Sequence, residues 1–117
     1  MIERKLFFNK AIIEELGLES PYDLVEKDQW TFDKFLEYEK AAKKDLNGDG
    51  VFDHNDRYGF AVGHDWDLAV FMYLASGQSI IKENDDGTLS YGLNTPEAFE
   101  AINMVKQMIA KGDTFYP

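Results

Sequence analysis

An α/β chain, richer in helix than in strand, is predicted by three observations in this sequence of 117 residues. Apolar residues recur at three- and four-residue spacing behind cap residues in the segments opened by Thr31 and Thr95, which is the helical period. Short runs around Tyr58-Gly-Phe60-Ala-Val62, Ile80-Ile81 and Leu89–Leu93 are bounded by turn residues, as strands are. A twelve-residue stretch rich in Asp, Asn and Gly, Asp45–Asp56, then joins a helix to a strand and not to a second helix.

Taken in order, Leu6-Phe7-Phe8 is an apolar run suited to a buried strand. Asn9 caps a helix whose Ile12, Ile13 and Leu16 share a face and which Gly17 stops. Ser20-Pro21 repeats the start signal for a short turn through Leu24 and Val25, with proline at the first helical position. Trp30 precedes the Thr31 cap, where a bulky residue packs back on the first turn, so it is assigned to the core. The helix after Thr31 turns Phe32, Phe35, Leu36 and Ala42 inward, and Asp33, Lys34, Glu37 and Lys40 to water.

Beyond the strand at Tyr58, the segment from Trp66 to Ala75 carries Leu68, Ala69, Val70, Phe71, Met72 and Tyr73 on every side. That predicts a helix buried all round. Ser76-Gly77-Gln78 breaks it, and Asn84-Asp-Asp-Gly87 is hairpin-turn chemistry between two short strands. Thr95-Pro96-Glu97 opens the last helix, with Ala98, Phe99, Ile102, Val105 and Ile109 expected inward and Gly112 as its stop. The sequence shows no internal repeat or linker, so residues 1–117 are expected to form a single domain.

Composition narrows the function classes. With 44% hydrophobic residues and 15% aromatics the chain buries a core, and no apolar run approaches the roughly 20 residues of a membrane span. A formal charge of −10 argues against nucleic acid and anionic lipid, which are both bound through clustered Lys and Arg. The absence of cysteine excludes disulfides, thiolate metal sites and a cysteine nucleophile. The opening residues have only a short apolar patch after their charges, unlike a secretion signal, so the chain is expected to be either cytosolic or a piece of something longer.

The loop carries the clearest chemistry. Asp45, Asn47, Asp49, Asp53 and Asp56 place side-chain oxygens at its first, third, fifth, ninth and twelfth positions, and Val51 offers a backbone carbonyl at the seventh. Gly50 stands at the sixth, where the backbone turns sharply. That is the ligand spacing of a calcium loop, because a hard cation of this size takes about six to eight oxygens. Its last residue is Asp and not the longer bidentate Glu, and Asp53 would act through a water. The same residues are also ordinary Asx-turn vocabulary.

No catalytic constellation stands out: His54 and His64 are separated by a strand, and no serine sits in a nucleophile elbow. The chain is therefore expected not to be an enzyme. Trp66 is more suggestive, since it follows a strand, beside His64, Asp65 and Asp67, where the open end of an α/β sheet meets ligands. An indole face suits the polarised C–H groups of a sugar, and neighbouring carboxylates accept from its hydroxyls. A tryptophan at the start of a buried helix is also a common packing residue.

The order of these pieces resembles the extracellular solute-binding proteins that deliver sugars to bacterial ABC importers. The resemblance is carried by Phe8-Asn9-Lys10 with Glu15-Leu16-Gly17-Leu18, by Trp30-Thr31-Phe32-Asp33, by Asp45–Asp56 followed by Tyr58-Gly59-Phe60, by Ser76-Gly77-Gln78, and by Asn94-Thr95-Pro96-Glu97-Ala98 with Lys111-Gly112. It implies a fragment: part of the second lobe of a two-lobed, periplasmic-binding-protein-like (type II) fold, helix-rich, with a short hairpin. It implies a non-catalytic capture protein for a sugar or oligosaccharide, an importer permease as partner of the full-length parent, and an extracellular, lipoprotein or periplasmic location. It carries a stacking role onto Trp66, with Asp65 and His64 beside it, and a structural role onto the calcium-type loop. Gln78 departs from the second glycine that many relatives have. The competing expectations are a free-standing calcium-binding interaction module and a domain of a carbohydrate-active enzyme.

Overall fold

The computed structural model describes residues 5–115, apart from the side chain of Asp65. They form a small mixed helix and strand structure with α1 (Lys10–Glu15), α2 (Pro21–Glu26), α3 (Phe32–Ala42), β1 (Phe60–Ala61), α4 (Asp65–Ala75), β2 (Ile81–Glu83), β3 (Leu89–Tyr91), α5 (Pro96–Lys111) and β4 (Thr114–Phe115). Two compact units are distinguished, the first reaching to Ala61 and taking in Asp113–Phe115, the second running from Val62 to Gly112. Among the described residues no helix is long and apolar enough to cross a membrane.

In the first unit the helix starts follow the sequence signals. Asn9 Oδ1 accepts from the Ala11 amide at 3.0 Å, Ser20 Oγ from Tyr22 at 3.3 Å and Thr31 Oγ1 from Lys34 at 3.2 Å. Each bond satisfies an amide that the first helical turn cannot pair, worth on the order of 1 kcal/mol. Aromatic residues fill the space between elements. Trp30 meets Tyr38 edge-on at 5.4 Å and Phe35 at 6.4 Å, and Phe35 meets Phe60 of β1 at 5.2 Å. The Tyr38 hydroxyl donates to the Glu19 carbonyl at 2.8 Å, and burial pushes its phenol above the usual range.

Strand β1 pairs in parallel with β4, Phe60 opposite Thr114 and Ala61 opposite Phe115. Parallel neighbours cannot be joined by a tight turn, and here the whole second unit is the connection between them. Glu39 of α3 is buried and accepts a hydrogen bond from the Thr114 hydroxyl of β4, tying helix to sheet. Lys43 adds an ion pair to Asp113 at 3.4 Å.

In the second unit α5 packs on α4 through Ala98, Ala101, Val105 and Met108, one stripe at three- and four-residue spacing. Tyr73 of α4 is 1% exposed and lies against Ala98 and Ala101, with Met72, Ile80 and Leu93 around it. Strands β2 and β3 form the expected antiparallel hairpin, Ile81 opposite Tyr91 and Glu83 opposite Leu89. Its turn is closed by the Asn84 amide on the Thr88 carbonyl at 2.8 Å.

Four expectations are corrected. Leu6-Phe7-Phe8 is not a strand; it runs without regular structure, and Phe7 is 86% exposed. Only Phe60–Ala61 of the Tyr58–Val62 run is strand, paired among the described residues with Thr114–Phe115. Helix α4 is not buried all round, since Trp66 and Leu74 reach solvent. Phe99 and Ile102 of α5 also face outward, while the small Ala98 and Ala101 are the residues buried against Tyr73 of α4.

Candidate functional site

Two places bring the singled-out residues together. The first is the loop between α3 and β1. Its ends are held side by side, with the Lys44 amide donating to the Arg57 carbonyl at 2.8 Å and the Arg57 amide to the Lys44 carbonyl at 3.0 Å. Arg57 is the clasp: its Nε donates to the Ala42 carbonyl at the end of α3 at 2.7 Å, and its guanidinium lies 3.2 Å from the Glu15 carboxylate of α1. The helix end, the loop base and α1 are thereby fixed to one another.

Inside the loop the acidic side chains turn onto the backbone. Asp45 accepts from Gly48 and Gly50 amides at 2.6 and 2.9 Å, Asn47 from Asp49 at 3.0 Å and Asp49 from Val51 at 2.7 Å. Asp53 accepts from Asn55 at 2.8 Å. Asp56 accepts from Asp53 at 3.0 Å and Leu46 at 2.9 Å, and those two amides hold its carboxyl below the ordinary carboxylate range. Gly50 has φ of 78°, the left-handed conformation that the turn at the sixth position requires. Val51 is exposed, and Phe52 lies under the Lys43 ammonium, which sits 4.2 Å from its ring centroid.

Whether this donor set fits a cation follows from lone pairs. A carboxylate oxygen has two, and the amides above take one from each oxygen they reach. Asp45, Asn47, Asp49, Asp53 and Asp56 therefore keep the oxygen chemistry a hard divalent ion needs. As they stand, no three carboxylate or imidazole groups among the described residues are gathered closely enough to hold a metal.

The second place is the start of α4. His64 occupies the cap position with extended backbone and makes no side-chain cap bond, which leaves its imidazole to the ring beside it. That ring is Trp66. The two planes lie within 14° of each other with centroids 6.2 Å apart, and the indole is 62% exposed. His64 and Trp66 thus form one exposed aromatic surface. Asp65, the third residue singled out there, has its side chain outside the described residues.

The first unit also holds a half-open hollow of about 370 Å³, which the sequence reading missed. Phe8, Tyr22, Trp30, Phe35, Tyr38 and Phe60 line it, with the buried Glu39 in its wall. Its walls come from segments far apart in the chain, so no local motif marks it. The one available signal is the density of aromatic residues between Phe7 and Phe60.

Compared with models of protein families, with curated proteins and with solved structures, the chain matches none.

Proposed function

We propose that this chain is part of one lobe of a two-lobed extracellular solute-binding protein, the capture component of an ABC importer, binding a carbohydrate without chemical change. The observation that carries this reading is the exposed Trp66 indole beside His64 at the start of α4. Burying a tryptophan removes a large apolar area from water, so an indole left in solvent is a ready surface for the apolar face of a sugar. The acidic chain suits a neutral solute and disfavours phosphorylated ones. In the parent protein the other lobe would close over the ligand, whose bridging contacts favour the closed form. The parent's location is extracellular, lipoprotein or periplasmic, and its membrane partner is the importer's permease.

The test is a calorimetric titration of the full-length parent with a panel of mono- and oligosaccharides, because one part-lobe alone lacks the enclosing wall and is expected to bind poorly or not at all. At least one sugar is expected to bind the parent, and Trp66→Ala is expected to abolish that binding. Silence across the panel, or binding unaltered by Trp66→Ala, would overturn the reading. A reading frame that continues on both sides of these residues is expected as well.

We also propose that the loop binds calcium as a structural ion, through Asp45, Asn47, Asp49, Asp53, Asp56 and the Val51 carbonyl. The ion would offset the mutual repulsion of four carboxylates in one loop. Millimolar calcium is expected to raise the melting temperature, and the double change Asp45→Ala, Asp49→Ala to remove that rise. Without calcium, the same melts should lose stability on acidification. Because Asp56 titrates lower folded than unfolded, its contribution is complete above the ordinary Asp value near pH 4 and is lost as pH falls through the lowered one. A melting temperature indifferent to calcium would remove the ion from the proposal.

A further inference from the structure

We propose that Asn47 is a site of spontaneous covalent modification, losing its side-chain amide through a ring formed with the Gly48 nitrogen, and that Asp45 restrains the reaction. The proposal rests on neither the carbohydrate nor the calcium reading.

An asparagine side chain can close a five-membered ring with the next backbone nitrogen, and the sequence of steps needs no reagent but water. The rate depends on whether that nitrogen can reach the side-chain carbon. Glycine in the following position permits it best, because a Cβ there would crowd the approach. The chain has six asparagines, and only Asn47 is followed by glycine. Asn55 and Asn84 precede aspartates, Asn9 and Asn94 precede Lys10 and Thr95, and Asn103 lies inside α5, whose hydrogen bonds fix the backbone.

The geometry at Asn47 favours ring closure. Asn47 and Gly48 are both exposed, and nothing lies within 4 Å of the place where a Gly48 Cβ would stand. The Asp49 amide donates to Asn47 Oδ1 at 3.0 Å, closing a turn that folds the side-chain carbon back toward the Gly48 nitrogen. The same bond polarises the side-chain carbonyl and stabilises the oxyanion that forms on attack. Asn47 Nδ2 donates to Asp49 Oδ2 at 2.8 Å, so the amide is held at both ends. Asp45 acts the other way. Its Oδ1 accepts from the Gly48 N–H at 2.6 Å, and that proton must leave before the nitrogen can attack.

The step exchanges water for ammonia. The Gly48 nitrogen gives up its proton and bonds to the Asn47 side-chain carbon, while the bond from that carbon to Nδ2 breaks and ammonia leaves with the proton. Water then opens the cyclic imide at either carbonyl. Opening at the side-chain carbonyl yields aspartate, and opening at the backbone carbonyl yields isoaspartate, in which the chain runs through the former side chain. Either product replaces a neutral amide by a carboxylate, making the formal charge of −10 one unit more negative.

The test is mass spectrometry after incubation of the chain in mildly alkaline buffer with a chelator, so that no cation occupies the loop. Asn47 is expected to gain about one dalton roughly tenfold faster than any other asparagine, the position being read from fragment ions. Asn47→Gln, whose longer side chain cannot close the same ring, should leave no gain there. Asp45→Ala should raise the rate roughly three- to tenfold, through loss of a hydrogen bond to a charged group. Asp56→Ala, which releases the Leu46 and Asp53 amides but not that of Gly48, should stay within about twofold of the parent. A rate at Asn47 no greater than at the other asparagines would overturn the site. Equal acceleration by Asp45→Ala and Asp56→Ala, or none by Asp45→Ala, would overturn the restraint.

Discussion

Gly59→Ala is expected to destabilise the first unit by about 3 kcal/mol or more, the upper end of the cost of overpacking. A Cβ on Gly59 would overlap the carbonyl carbon and oxygen of Glu39, which are helix backbone and cannot rotate away. Strand and helix would have to separate. That movement would pull Glu39 from Thr114 and break the Gly59 amide bond to the Asp113 carbonyl at 3.0 Å. Thermal denaturation followed by circular dichroism should show a melting temperature lowered on the order of 10 °C. Gly63→Ala is the matched control, since nothing lies within 4 Å of a Cβ there, and it should fall within about 0.5 kcal/mol of the parent. Equal melting temperatures for the two variants would show that α3 does not press on β1 as described.

The second large effect is expected at Tyr73. Its ring is almost wholly buried between α4 and α5, and its hydroxyl lies 2.7 Å from the Gly92 carbonyl and 3.0 Å from that of Ser79. A phenol has one proton to donate, so the bond is divided between the two oxygens. Gly92 also receives the Thr95 hydroxyl at 2.8 Å, which leaves Ser79 the more dependent on Tyr73. Tyr73→Ala empties the site and should cost about 3 to 5 kcal/mol. Tyr73→Phe keeps the ring and loses the proton, and should cost about 1 to 2 kcal/mol. Chemical denaturation of the two variants separates packing from hydrogen bonding, and a Tyr73→Phe loss as large as that of Tyr73→Ala would show that the ring's bulk contributes nothing.

Local chemistry was legible in the sequence. The caps at Asn9, Ser20, Thr31 and Thr95 and the hairpin turn before Thr88 depend on atoms a few residues apart, and each forms the bond its residue type predicts. Non-local features were not legible. Leu6-Phe7-Phe8 has strand-forming residues, but a strand exists only if another lies beside it, and composition cannot supply the partner. On α5 the apolar residues run round more than one face. The sequence placed Phe99 and Ile102 inward together with Ala98, whereas contact with α4 selected Ala98, Ala101, Val105 and Met108, and only the neighbour decides which face turns inward. Buried Glu39 had no sequence signal of its own, its burial being the work of Gly59 and Thr114 across the chain.

At the proposed ligand surface, the sequence named His64 and Trp66 as neighbours but not their relation. Residues two apart in a regular helix point well away from each other. They meet here because His64 lies outside the helix, in extended backbone with φ of −149°, while Trp66 is already within it. The change of conformation at the cap brings the rings together.

The paired backbones of Lys44 and Arg57 make the segment between them a detachable cassette. Its two ends enter and leave the structure at adjacent points, so replacing residues 45–56 by a tight reversal would ask neither α3 nor β1 to change direction. The same geometry makes this position a tolerant port for grafted sequence, where an epitope or a reporter peptide could be displayed without redrawing the scaffold beneath it.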